Sequence, residues 1–224
     1  QQGMGQALSC IPDIVVSDVM MPIMNGITMC KMLKEDVRTS HIPIILLTAK
    51  DSLQDKEEGY QVGADSYLTK PFSATLLHSR INNLLESRKR LAERLNTNTP
   101  HHNMDEKRAL LADSLNKLDN EFLEKINRLI EDRLSSEKID IGYLADNMCM
   151  SKSTLYRKMK ALTGLSTNEY VRKIKMQYAE RLLLEGRYNV SEIAFRVGIN
   201  SVVYFRQCFK EEFGVLPSDY LKQP

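Results

Sequence analysis

Four side chains in the first third of the chain have the chemistry needed to accept and hold a phosphoryl group. Asp18, Thr48 and Lys70 each lie at or just beyond the end of a strand-like apolar run, and Tyr67 lies within the third run. An exposed carboxylate can accept a phosphoryl group as a mixed anhydride. A lysine ammonium can neutralise the added oxygens, and a threonine hydroxyl can hydrogen-bond to one of them. The residue types predict a phosphoacceptor site built on Asp18.

The segments that carry these residues predict a parallel sheet covered by helices. Apolar runs of strand length alternate with helical patterns, which is typical of strands buried on both faces of a parallel sheet. The predicted strands are 14–17, 44–47 and 66–68, and helical patterns fall around 27–35, around 53–62 and from residue 74 onward. The carboxyl ends of parallel strands gather at one edge of the sheet, where ligands bind. We therefore expect the four residues to converge in an α/β layered domain.

An enzymatic use of the same carboxylate is the first alternative. Phosphohydrolases with an aspartate nucleophile also place a carboxylate at a strand end, and they need a second acidic residue two positions later as a general acid. That position is Met20 here, and a thioether cannot transfer protons. The sequence therefore predicts that the chain is not an enzyme and does not hydrolyse a chromogenic phosphate monoester.

Three segments carry a resemblance to the response-regulator receiver family over roughly residues 1–86. They are "PDIVVSDVMMPIMNG", "IILLTAK" and "GADSYLTKPF". The resemblance implies that a histidine kinase phosphorylates Asp18 from its phosphohistidine, with Mg²⁺ as the metal. It also implies that Thr48 and Tyr67 form a switch pair beside Lys70, and that the Lys70–Pro71 peptide is cis, as is usual in the family.

The receiver resemblance is incomplete at its start, which predicts an incomplete flavodoxin-like fold. The family's first strand, first helix and second strand should precede this region, and 13 residues precede Ile14. In the family, an acidic pair follows the missing first strand and provides most of the negative charge around the metal. Without that pair, the expected metal shell is reduced to Asp18 and the backbone carbonyl of Met20. We expect the chain to bind Mg²⁺ and to accept phosphate poorly, unless a parent protein supplies the missing part. Acetyl phosphate and intact mass would test this expectation.

A polar stretch divides the chain. Residues 96–103, "NTNTPHHN", interrupt a helical and increasingly charged pattern and predict a linker within residues 87–115. Residues 1–86 hold 7 Lys and Arg against 10 Asp and Glu, whereas residues 116–224 hold 18 against 15. A net charge of −3 before the linker and +3 after it is compatible with nucleic-acid binding by the second part.

An internal repeat fills the second part, which reads as helices throughout. Six residues recur with a shift of 50, and the pair Leu144-Ala145 recurs as Ile193-Ala194 with a shift of 49. The first six are Leu155, Met159, Lys160, Gly164, Tyr170 and Val171, and their counterparts are Phe205, Phe209, Lys210, Gly214, Tyr220 and Leu221. Each unit has a small alanine on its first helix, then a tight turn at Cys149-Met150 or Gly198-Ile199. A capping residue, Ser151 or Asn200, then opens a second helix. Two matched units favour a pair of helix-turn-helix motifs, and we expect Asp119 to cap the helix ahead of them.

Residues 116–224 resemble the AraC/XylS-family DNA-binding domain, most closely in "VSEIAFRVGINSVVYFRQCFKEEFGVLPSDYLKQ" (Val190–Gln223). The resemblance implies an all-α domain in which two helix-turn-helix units, joined by a long helix at about 167–185, read adjacent major-groove segments of double-stranded DNA. The implied base-reading positions are Ser153, Tyr156 and Arg157, then Val202, Val203, Tyr204, Arg206 and Gln207. Phosphate contacts are expected from Ser151, Lys152, Lys158 and Lys210, with Asn200 at the start of the second recognition helix. Many family members have arginine at the position of Gln207, so base preference in the second half-site does not carry over.

The whole chain is expected to be a cytoplasmic transcription regulator at the output end of a two-component phosphorelay. Four scattered cysteines and the lack of an apolar run of membrane-spanning length fit a reducing compartment and no membrane contact. A hybrid sensor–regulator polypeptide and a standalone response regulator both fit these residues. The receiver face around 53–62 and 74 onward is commonly a dimer surface, which makes a homodimer a candidate assembly. The alternative is a helical protein-interaction module attached to a phosphoacceptor domain, which need show no DNA affinity.

Overall fold

The computed structural model describes residues 2–49, 61–96, 116–134 and 139–220. The chain forms two compact units. The described part of the first unit comprises residues 2–49, 61–96, 116–122 and 153–164, and that of the second comprises 123–134, 139–152 and 165–220. The predicted linker at 87–115 lies largely outside the described residues, so the predicted domain boundaries stay predictions.

The first unit contains a three-stranded parallel sheet in the order β1-β2-β3. Its elements are α1 (Gln2–Cys10), β1 (Val15–Asp18), α2 (Gly26–Glu35), β2 (Ile44–Thr48), β3 (Ser66–Thr69) and α3 (Ala74–Asn96). Val15 pairs with Ile44 and Ile45 with Ser66, which sets the register along the sheet. The predicted strands and the helices at 27–35 and from 74 onward are confirmed. The predicted helix at 53–62 and its face lie almost entirely outside the described residues.

Helix α1 was not predicted from the sequence. It contains Gly3 and Gly5, and glycine is unfavourable in a helix interior. Ala7 is nevertheless buried, and Met4 packs against the same hydrophobic core, which includes Leu33, Ile44 and Leu46. Tertiary packing therefore outweighs weak intrinsic propensity here.

Seven further helices follow in the described residues, with lengths from 4 to 18 residues. They are α4 (Lys117–Glu131), α5 (Ile141–Asn147), α6 (Lys152–Thr163), α7 (Thr167–Leu184), α8 (Val190–Arg196), α9 (Val202–Phe213) and α10 (Pro217–Tyr220). Among the described helices, none combines the length and apolarity needed to cross a bilayer.

Helix α4 begins earlier than predicted. The sequence indicated Asp119 as its N-cap, but the helix starts at Lys117, and the Asn116 side chain accepts a hydrogen bond from the Asp119 amide at 2.8 Å. Asp119 lies in the first turn, where a negative charge is favoured by the exposed amide groups. One face of this helix is buried through Phe122, Ile126 and Ile130.

The connecting helix α7 matches the predicted range 167–185 closely. Ser166 caps it, and Glu169 completes a reciprocal capping box with the backbone of Ser166. These two hydrogen bonds satisfy amide groups that would otherwise lack partners at the helix start.

Candidate phosphoacceptor and DNA-binding sites

Asp18 ends β1, at the edge of the sheet where the carboxyl ends of the strands meet. It lies opposite Leu47, and the Lys70 amide donates to the Thr48 carbonyl at 2.8 Å. The Lys70 ammonium forms an ion pair with Asp18 Oδ2, while Asp18 Oδ1 accepts the Met20 amide at 3.1 Å. The structure therefore joins Asp18 and Lys70, which are 52 positions apart in the sequence, into one polar site.

The surroundings of Asp18 keep its carboxyl group charged. The hydrogen bond from Lys70 has the largest effect and lowers the pKa of Asp18. Burial opposes it, and the weaker hydrogen bond from the Met20 amide again lowers the pKa. The side chain is 32% exposed, so an incoming group can reach it. A charged, reachable carboxylate beside an ammonium group is suited to nucleophilic attack on phosphorus.

A close backbone approach holds the Asp18 loop against α2. A Cβ atom on Gly26 would lie 2.2 Å from the Asp18 carbonyl oxygen, and the Gly26 amide donates to the Val19 carbonyl at 2.9 Å. Asn25 caps α2 by accepting the Thr28 amide at 2.7 Å. Only glycine permits this approach, so Gly26 positions the backbone that carries Asp18.

Thr48 and Tyr67 lie on the neighbouring strands. Thr48 is buried at the end of β2, and its hydroxyl donates to the Ala49 carbonyl at 2.9 Å. Tyr67 of β3 pairs with Leu46 of β2 and packs against the hydrophobic core. The Lys70–Pro71 peptide is cis, which confirms that prediction. The switch roles of Thr48 and Tyr67 stay predictions.

Mg²⁺ is the metal of receiver domains, and the described residues fit it poorly. They contain no group of three His, Cys, Asp or Glu side chains that could hold a metal ion. Asp18 is the carboxylate at this site, and its two oxygens already accept from Lys70 and the Met20 amide. Mg²⁺ requires near-octahedral geometry and is usually held by one or two carboxylates, with water molecules completing its shell. The Met20 carbonyl would add one neutral oxygen, so no chemical step is assigned to a metal here.

The two helix-turn-helix units have helices of matching length and corresponding hydrogen bonds in their turns. α5 and α8 are each seven residues long, and α6 and α9 are each twelve. The Met150 amide donates to the Ala145 carbonyl at 3.0 Å, and the Ile199 amide donates to the Ala194 carbonyl at 2.9 Å. The backbone is left-handed at both predicted turns, with φ of 54° at Cys149 and 65° at Gly198. One turn design is used twice.

The second unit contains one extra residue between its helices. Four residues separate α5 from α6, and five separate α8 from α9, which changes the repeat shift from 49 to 50. The prediction that Asn200 opens the second recognition helix is therefore wrong by one position. Ser201 is the N-cap, because its side chain accepts the Tyr204 amide at 3.2 Å. Ser151 directly precedes α6, as predicted.

Most predicted DNA-contacting side chains are at the surface. Val203 is 77% exposed, Tyr204 49% and Tyr156 48%, while Val202 is partly buried. The other exposed members of the predicted set are Ser151, Lys152, Ser153, Arg157, Asn200, Arg206, Gln207 and Lys210. The opposite faces of α6 and α9 are buried through Leu155, Met159, Phe205 and Phe209.

Lys158 is the exception, and its predicted phosphate contact is corrected. Its side chain is fully buried and forms an ion pair with Asp119. The ammonium also donates to the Ser40 hydroxyl at 3.0 Å and lies 4.9 Å from the centre of the Phe122 ring. Burial lowers the pKa of Lys158, and the Asp119 carboxylate opposes this effect. In this conformation Lys158 cannot reach a DNA phosphate.

Two charged residues beside the predicted base-reading positions, Arg172 on α7 and Glu211 on α9, were not predicted from the sequence. Arg172 on α7 hydrogen-bonds to Tyr204 and lies 3.8 Å from a Glu211 carboxylate oxygen. Glu211 in turn accepts from Gln207 at 3.1 Å. Arg172 is in the connecting helix, so helical periodicity alone gave no signal that it orients side chains of the recognition helix.

Comparisons with known proteins match both halves of the chain. The family model "Response regulator receiver domain" matches residues 2–82, and the family model "Helix-turn-helix domain" matches residues 144–223. "Histidine kinase P4" of Formosa agariphila is 37% identical over 210 residues, which is 94% of this chain and 15% of that protein. The "Heme response regulator HssR" of Staphylococcus saprophyticus is 50% identical over 74 residues, covering 33% of this chain and 32% of that protein.

Among solved structures, the C-terminal domain of AraT, a response regulator from Geobacillus stearothermophilus, is 30% identical. That match covers 45% of this chain and 84% of the solved chain, with a TM-score of 0.41. The chain spans well under two thirds of the length of the curated relatives named above. The chain therefore combines a segment similar to response regulator receiver domains, residues 2–82, with a segment similar to helix-turn-helix domains, residues 144–223.

Proposed function

We propose that the chain is the output end of a hybrid two-component regulator, in which a phosphorylation signal at the receiver controls sequence-specific DNA binding. The observation that carries the proposal is the repeated turn. Two units with matching hydrogen bonds each present an exposed, mainly polar or small helix face to solvent. A recognition helix that enters the major groove needs such a face. The 37% identity to a histidine kinase over most of the chain supports the hybrid arrangement.

The proposed base contacts divide between the two recognition helices. Arg157 is the candidate for bidentate hydrogen bonds to guanine in the first half-site, and Arg206 in the second. Val203 would pack against thymine methyl groups. Ser151, Lys152 and Lys210 would hold phosphates and so fix the register of the protein on the duplex.

The proposed signal enters at Asp18, with a histidine kinase as phosphodonor. The ion pair with Lys70 supplies the positive charge that the phosphoryl oxygens need. Because the described residues supply a single carboxylate at this site, we expect slow phosphate transfer to this chain. Incubation with acetyl phosphate and Mg²⁺, followed by intact mass, measures it, and Asp18→Asn is the control. Rapid addition of one phosphoryl group to the wild type alone would contradict the expected slow rate.

Binding to duplex DNA at a series of salt concentrations tests the proposed DNA-binding function. A set of phosphate contacts predicts that affinity falls steeply with salt, with a slope of about 0.9 per contacted phosphate. A helical module that binds proteins would show little affinity at any salt concentration. Absence of binding by the folded chain at low salt would contradict DNA binding and would favour the protein-interaction alternative.

A further inference from the structure

Receiver residues contact the first recognition helix inside the first compact unit, which contains the sheet and residues 153–164, including all of α6 except its first residue. The Ser40 hydroxyl donates to Asp119 Oδ1 at 2.7 Å and accepts from the Lys158 ammonium at 3.0 Å. The Asn116 amide group donates to the Ser40 carbonyl at 3.0 Å and to Asp119 Oδ2 at 2.9 Å. We call these four residues, Ser40, Asn116, Asp119 and Lys158, the Ser40 cluster.

A second contact involves the side chain with the strongest claim to read a base. The Arg157 guanidinium donates to the Cys10 carbonyl at 2.6 Å and to the Ser9 carbonyl at 3.4 Å, both at the end of α1. A guanidinium that donates to these carbonyls cannot at the same time form a bidentate contact with guanine. The Arg157 guanidinium is thus already hydrogen-bonded to the receiver part of the first compact unit.

The buried charges make the cluster costly to leave half formed. Lys158, Asp119 and Ser40 have essentially no solvent exposure. The Asp119 carboxylate and the Ser40 hydroxyl contact the buried Lys158 ammonium directly and stabilise its charge. Asp36 also attracts this ammonium group, whereas Arg88 repels it. Removing one partner leaves the remaining polar and charged groups buried without a hydrogen-bond or ion-pair partner, which is unfavourable. The contact should therefore be either fully made or fully released.

We propose that the Ser40 cluster and the Arg157–Cys10 contact form an autoinhibitory latch, which holds the first recognition helix on the receiver and withholds Arg157 from DNA. The proposal rests on the DNA-binding function proposed above. Only released molecules can bind DNA through Arg157, so the apparent affinity is the intrinsic affinity multiplied by the released fraction. Weakening the latch raises that fraction and should tighten binding.

A cross-linking experiment tests the latch without DNA. The full chain with Arg157→Cys is treated with a short bis-maleimide, since Cys10 is exposed and free. We expect an intramolecular cross-link between positions 10 and 157 by peptide mapping, lost in the matched chain that also carries Cys10→Ser. Absence of this cross-link in the folded chain, or its appearance only between two chains by intact mass, would overturn the latch.

DNA binding provides the functional test. Ser40→Ala in the full chain should bind a random-sequence duplex pool roughly tenfold more tightly than the wild type, because hydrogen bonds to charged groups are lost from the latched state alone. The control is Ser87→Ala, an exposed serine of α3, which should leave affinity unchanged. Unchanged or weaker binding by folded Ser40→Ala would overturn the latch. If no variant binds DNA while the cross-link forms, the proposed function fails and the contact itself stands.

Discussion

The two helix-turn-helix units have helices of matching length, and one buried position differs in chemical type, being charged in the first unit and uncharged in the second. Lys158 on α6 and Cys208 on α9 correspond through the shift of 50, and both are buried. Cys208 lies in a hydrophobic core with Phe205 and Phe209, whereas Lys158 is paired with Asp119. The position on the helix determines burial, and the chemistry of the side chain determines which partner must be buried with it.

At two buried positions the second helix-turn-helix unit holds aromatic side chains where the first holds aliphatic ones, and the largest expected effects test this difference. Phe209 is fully buried, its ring centre lies 4.5 Å from that of Phe213, and it meets Tyr220 edge-on at 5.5 Å. Phe209→Ala should lower the free energy of unfolding by about 3–5 kcal/mol in urea titrations. The counterpart Met159→Ala should cost about 2–5 kcal/mol. Phe195→Ala, at a 71% exposed phenylalanine, is the control, and an equal loss there would contradict the assigned core.

The buried charge of the first unit should be dispensable only as a pair. Lys158→Met leaves Asp119 buried without its ammonium partner and should cost about 3–5 kcal/mol of unfolding free energy. Adding Asp119→Leu should recover most of this loss, since an apolar pair can replace a buried ion pair of similar volume. Urea titration of both chains measures this, with exposed Lys160→Met as control. A double variant as unstable as Lys158→Met would contradict the pairing.

The exposed faces should matter for DNA and little for folding. Arg206→Ala should weaken binding to the preferred sequence by roughly tenfold or more and relax base preference in the second half-site. Arg187→Ala is the matched control, because Arg187 is exposed and lies outside both recognition helices. Competition binding with single-base variants of the site gives the result. Equal loss of affinity for every sequence would assign Arg206 to phosphate contact instead.

The smallest expected effect distinguishes two lysines on corresponding faces. Lys210→Ala should reduce the slope of log affinity against log salt by about 1, because one phosphate contact is lost. Lys160 is the exposed lysine at the corresponding position of the first helix-turn-helix unit, and the salt slope of Lys160→Ala is measured in parallel. Salt titrations with identical slopes for Lys210→Ala and wild type would remove Lys210 from the interface.

Much of the fold followed from sequence periodicity. The strands ending near Asp18 and Thr48, the helix α7 and the two alanine-containing helices lie where apolar spacing and turn residues indicated. These signals are local, because each strand or helix must bury one face whatever its neighbours are.

The errors arose where local signals competed. Asp119 looked like a cap, but Asn116 three residues earlier provides the same chemistry. Asn200 looked like a cap, but the second turn is one residue longer, and Ser201 takes that role.

The burial of Lys158 could not be predicted from its residue type alone. A lysine in a recognition helix suggests a phosphate contact, yet it lies one turn from Leu155 and Leu162 on the buried face. Its partner Asp119 is 39 residues away in sequence. The alignment with Cys208 in the repeat was the available sign that this position faces inward.

Selection of bound sites from random duplex DNA by the full chain tests the central claim most directly. Two helix-turn-helix units with the same turn should enrich two unlike half-sites, centred roughly 10 base pairs apart on one face of the duplex. Arg206→Ala should erase base preference in one of the two. Enrichment of a single half-site, or no enrichment by the folded chain at low salt, would contradict the account.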